Sequence, residues 1–147
     1  MAQPDQQNLI IPALRPLYSG LSTTAETVLR LVAGLAMVTH GWPKITNPFG
    51  SVGMVESLGF VPGALWSPLL AGTEFFGGIL LAIGLLTRPA AFGCFIVLCV
   101  TTYFHWVVQA EGYSGAEKSI LWAAMMLFFV IRGGNAQSVD AKIGRQF

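Results

Sequence analysis

The stretch from Ser67 to Arg88 most constrains what this chain can become. It is an apolar run whose one internal charge is Glu74. About 20 such residues cross a bilayer as a helix. A carboxylate placed well inside hydrocarbon is costly, so Glu74 has to face other helices, find a partner or hold a proton. Gly77, Gly78 and Ala82 follow within two turns and leave the helix flank nearly bare. Flanks of that kind let a second helix approach closely.

Composition points the same way. Of the 147 residues 54% are hydrophobic and only 10% charged, against about 25% charged in a soluble domain. Such a chain cannot cover its own surface in water, which implies one membrane-embedded domain. The net charge of +1 excludes the basic surface that a nucleic-acid partner requires. The polar start Met1-Ala2-Gln3-Pro4-Asp5 argues against a cleaved signal peptide. Cys94 and Cys99 are five residues apart, point in different directions on a helix and read as small core residues rather than a redox pair.

Four spans follow from the hydropathy pattern. Residues 1–23 read as a tail broken by Pro12 and Pro16, with Ser22, Thr23 or Thr24 capping the first span. That span runs to about Trp42, and Pro43 and Asn47-Pro48 end it. Residues 52–58 suit a short interfacial helix, and 59–63 a turn back into the membrane. The second span carries Glu74, the third begins at Pro89, and the fourth covers about Ala116 to Ile131. Residues 24–132 thus make the transmembrane domain, and 133–147 a polar C-terminal tail. Short connections favour an all-α, antiparallel four-helix transmembrane bundle. Six basic residues (Arg15, Arg30, Arg88, Arg132, Lys142, Arg145) fall on one side and two (Lys44, Lys118) on the other. The expected orientation has both termini cytoplasmic.

In that topology His40 and Lys44 close the first helix on the outer side, Tyr103 and His105 close the third, and Glu117 opens the fourth. Glu74 lies about 10 Å below the start of its helix, and Arg30 deeper, about 18 Å from the end of its own. Arg30 and Glu74 are the expected proton-handling charge pair, and His40, Lys44, Tyr103, His105 and Glu117 the expected ligand contacts. Each has a plainer reading. Arg30–Glu74 as a buried pair would only fix packing. The histidines and tyrosines would be interfacial side chains, and Glu117 a solvated helix start. No His or Glu spacing supports a metal site.

Arg30-x3-Gly34-x5-His40-Gly41-x2-Lys44, followed by Glu56-Ser57-Leu58-Gly59-Phe60, resembles the opening of the DoxX family of membrane proteins. Glu74-x2-Gly77-Gly78-x2-Leu81-x2-Gly84-Leu85-Leu86-Thr87-Arg88 is similar to that family's second helix, and Gly133-Gly134 with Ser138-x-Asp140 to its closing segment. The resemblance covers roughly residues 24–140. It implies a small four-helix protein of the bacterial cytoplasmic membrane, associated with quinol or thiosulfate:quinone oxidoreduction or with thiol-redox complexes. Arg30, His40, Lys44, Glu74 and Arg88 carry over by motif, whereas Cys94 and Cys99 match no redox motif of the family.

The expected function is an integral membrane subunit of a redox system, docking a quinone-like ligand near Glu74. The lipid bilayer, a membrane redox-complex partner and further copies of the chain are the expected contacts. A non-enzymatic scaffold, docking through Gly77, Gly78, Gly84 and Gly93, is the rival. A proton-coupled transporter is disfavoured because four helices without an inverted repeat leave little room for alternating access.

Overall fold

The computed structural model describes residues 9–145, and these contain helices and turns but no strand. A single 3-10 turn, Pro12–Leu14, leads into α1 (Arg15–Thr46). A short α2 (Val52–Ser57) follows, then α3 (Gly63–Ile83), α4 (Thr87–Val108), α5 (Gly112–Arg132) and a final short α6 (Val139–Lys142). The first helix and α3, α4 and α5 are each long and apolar enough to cross a membrane.

The first helix departs from expectation at both ends. It begins at Arg15 rather than near Thr24, because Pro16 falls in the first turn, where a missing N–H is one of the orphans anyway. It also runs through Pro43 to Thr46 and stops at the expected Asn47-Pro48, with Asn47 as its C-cap. Pro43 lies in the last turn, so the one ladder hydrogen bond it removes is near the fraying end. A short helix at 52–57 forms where expected, and the Glu56 carboxylate accepts the Gly63 N–H at 2.8 Å to cap α3. Ser67 Oγ donates to the Pro48 carbonyl at 2.6 Å and accepts the Ser51 N–H at 3.2 Å, which ties the connecting loop to α3.

The closest packing is between α1 and α3. A Cβ on Gly34 would sit 2.6 Å from the Gly78 carbonyl and the Ala82 nitrogen, and one on Gly41 2.6 Å from the Phe75 nitrogen. As α1 advances from 34 to 41 its partner residues fall from 82 to 75, the order given by helices running in opposite directions. Cys94 and Gly93 of α4 meet Gly77 and Thr73 of α3. The centre of the bundle is filled by Ala33, Met37, Leu81, Ala91, Cys94, Met126 and Phe129, all buried. Leu35, Phe92, Ile96, Leu121 and Ile131 are exposed around the outside, as suits contact with lipid tails. Cys94 is therefore the core residue expected, but Cys99 is exposed on the outer surface.

Gly77, Gly78 and Gly84 at the second span and Gly93 on the third are thus used within the molecule. Gly78 abuts Gly34 and Met37, Gly77 abuts Cys94, Gly93 abuts Thr73, and Gly84 abuts Arg30. They are not a free face for a partner. Gly34→Val is expected to destabilise the protein by about 1–3 kcal/mol or more, since the Cβ meets backbone that cannot yield. Gly20→Ala, where nothing lies within 4 Å, should be neutral or stabilising by up to about 1 kcal/mol. Thermal unfolding of both variants in detergent checks the contrast.

Candidate functional site

Glu74 sits in one turn of π-helix, Thr73–Gly77, inserted into α3. Such turns concentrate at functional sites because the extra residue re-aims side chains. The Glu74 residue is 5% exposed. Its Oε2 lies 2.5 Å from Lys44 Nζ, which also donates to the His40 carbonyl at 3.2 Å. The Lys44 side chain is 27% exposed, so the pair is open on the lysine side and closed on the acid side. Trp42 and Phe75, each next to or near a member of the pair, meet with ring centroids 5.7 Å apart. The arrangement is a charge pair in an apolar frame, with an ammonium able to donate a further hydrogen bond.

The expected pairing of Glu74 with Arg30 is not what forms. Arg30 is buried at the other end of α3, packed on Gly84 and facing Asp140. Glu74 and Gly84 are about 15 Å apart along the helix at 1.5 Å per residue. Lys44 lies four turns beyond Arg30 on α1 and reaches the acid first.

The other expected ligand contacts do not join Lys44 and Glu74 in one hydrogen-bonded cluster. His40 is exposed and set edge-on to Trp122, with centroids 5.0 Å apart. His105, in a second π turn at Phe104–Val108, has its Nδ1 2.8 Å from Glu111 Oε2. Tyr103 is exposed, and Glu117 is exposed at the start of α5. No group of three or more His, Cys, Asp or Glu suited to a metal ion occurs among the described residues.

At the far end of the bundle the chain builds a second polar centre. Residues 133–145 fold back over the helix ends instead of forming a free tail. Asp140 Oδ1 accepts the Leu86 N–H at 2.8 Å, and Oδ2 accepts the Thr87 N–H at 2.9 Å and its hydroxyl at 2.7 Å. The Asp140 N–H returns a bond to the Gly84 carbonyl at 2.8 Å. One aspartate thus caps α4 from 54 residues away and holds Leu86 in a left-handed conformation (φ 50°) that a residue with a Cβ rarely adopts. Gly84, itself at φ 74°, ends α3. Asn135 donates to the Thr23 carbonyl and the Thr27 hydroxyl, both at 2.8 Å, and Arg132 pairs with Glu26 at 3.0 Å. The returning segment and Arg132 thus pin α1, α3, α4 and α5 together. The visible signal was Ser138-x-Asp140, with Ser138 Oγ capping α6 by accepting the Ala141 N–H at 3.1 Å.

Burial by itself would raise the Asp140 pKa. Hydrogen bonds from the Thr87 N–H, its hydroxyl and the Leu86 N–H, with the charge of Arg30, outweigh that and hold the carboxyl below its ordinary value. A depressed folded pKa gives stability that is present above the unfolded value of about 3.9 and lost as pH falls through the folded one. Asp140→Asn should therefore lower stability by about 1–3 kcal/mol near neutral pH. That gap should stay constant down to about pH 4 and narrow below it, as melting temperatures of both proteins across pH will test.

Comparison with known proteins agrees with this architecture. A sequence model of the DoxX family matches residues 25–107, more than half of the chain. The inner membrane protein YqjF of Escherichia coli (strain K12) is 30% identical over 129 residues, covering 86% of this chain and 98% of that protein. An uncharacterized protein of Haemophilus influenzae is 32% identical over 124 residues, covering 78% of this chain and 87% of that one. No solved structure matches the chain. With four apolar helices of spanning length and these matches, the chain belongs to the DoxX family of multi-pass bacterial membrane proteins.

Proposed function

We propose that this protein is a membrane subunit of a redox system that binds a quinone-like ligand at Lys44 and Glu74. The observation that carries the reading is the half-open ion pair, with Glu74 closed off in the π turn and Lys44 partly accessible. An apolar ring bearing a carbonyl suits that frame. Lys44 would donate a hydrogen bond to the carbonyl oxygen while Glu74 balances its charge, and the two protons taken up when the quinone is reduced to the quinol would come from water. The two electrons of that reduction would come from a partner redox protein in the same membrane. The excess of basic residues favours a cytoplasmic side for the end carrying Arg15, Arg88 and Arg132, which would put the Lys44–Glu74 pair toward the opposite face.

The scaffold reading loses its main support, since the glycines it relied on are met by α1, α3, α4 and Arg30. The redox reading predicts that wild-type protein purified in mild detergent carries a quinone detectable by mass spectrometry of the extracted lipids. Lys44→Met and Glu74→Gln should each weaken binding of added ubiquinone-1 at least tenfold, about 1.4 kcal/mol. Equal ubiquinone-1 affinity in all three folded proteins would defeat the proposal.

A further inference from the structure

The proposed ligand site makes no use of Arg30, yet this is the most unusual charge in the molecule. Arg30 is 2% exposed, and its Nε and Nη1 meet no hydrogen-bond acceptor among the described residues. The polar oxygens near it are aimed at other donors. Asp140 faces it, but both carboxylate oxygens are taken by Leu86 and Thr87. The Gly84 carbonyl takes the Asp140 N–H, and Ser138 Oγ takes the Ala141 N–H. Asp140 balances the charge of Arg30 without satisfying its donors. A buried guanidinium left in that condition is unfavourable, and polar buried groups of this kind are met by ordered water.

The geometry of the side chain fixes the least number of molecules. Nε and Nη1 do not share an edge of the planar guanidinium, so one acceptor cannot serve both. We propose that the Asp140 end of the α1–α3 seam is an internal hydration site. It holds at least two water molecules, one on each open edge of Arg30, enclosed by residues 134–143. The Ser138 hydroxyl keeps its own hydrogen to donate, and the Gly84 carbonyl has a second lone pair, so the waters have partners besides Arg30. Toward Glu74, the close approach of Gly34 to Gly78 and the buried Ala33, Met37 and Leu81 form a dry layer. The two polar ends of the seam are thereby separated.

The test is a density map of the wild-type protein in nanodiscs, at a resolution that resolves ordered water, collected with and without bromide in the buffer. The site predicts one peak within about 2.7–3.2 Å of Nε and another at the same range from Nη1, unchanged by bromide. Backbone carbonyls occupying either nitrogen, or no density beside them, would overturn the proposal. Bromide replacing either peak would do so too, because the occupant would then be an anion. Ubiquinone-1 binding is read separately, so failure at Arg30 leaves the Lys44–Glu74 reading standing.

Discussion

The whole arrangement depends on backbone touching backbone where α1 crosses α3. Gly34 and Gly41 have no side chain to hold the helices apart, and Gly78 answers from the other side. Lipid supplies no hydrophobic drive between helices, so contact of this closeness supplies the dispersion energy that holds them. It also sets distances. With the axes this near, Lys44 on α1 can reach Glu74 on α3, and Arg30 can lie against Gly84.

That crossing leaves a charge at each end and apolar packing between. At one end a lysine and a glutamate form a direct pair at a π turn. At the other, arginine and aspartate face each other while the aspartate's hydrogen bonds go to the start of α4. The two centres differ in kind. The first has a partly accessible cation, which suits a ligand. The second is buried beneath the returning C-terminal segment, which suits architecture.

The candidate site was legible only in part. Glu74 declared itself because an acid inside an apolar run needs a partner, whichever that is. Its partner did not, because Arg30 and Lys44 are both on the same stripe of α1 and helical spacing cannot say which one the crossing brings to Glu74. The C-terminal segment was harder still. Residues 133–145 look polar and glycine-rich, hence solvated, and nothing local reveals that Asp140 is bonded to residues 53 and 54 positions earlier. Proline was the other source of error. At Pro16 and Pro43 its effect depends on distance from a helix end, which hydropathy does not define closely.

The amino-acid sequence by itself determined the four apolar spans, the short helix between the first two, the small-residue flank of α3 and the position of Glu74 within it. Those are properties of period, length and local chemistry, which neighbouring residues are enough to specify. Tertiary structure alone decided that Lys44 rather than Arg30 meets Glu74, that the α3 glycines are consumed inside the molecule, and that Asp140 closes the far end. Each of these depends on where two helix axes cross and how a loop returns, and long-range packing sets both.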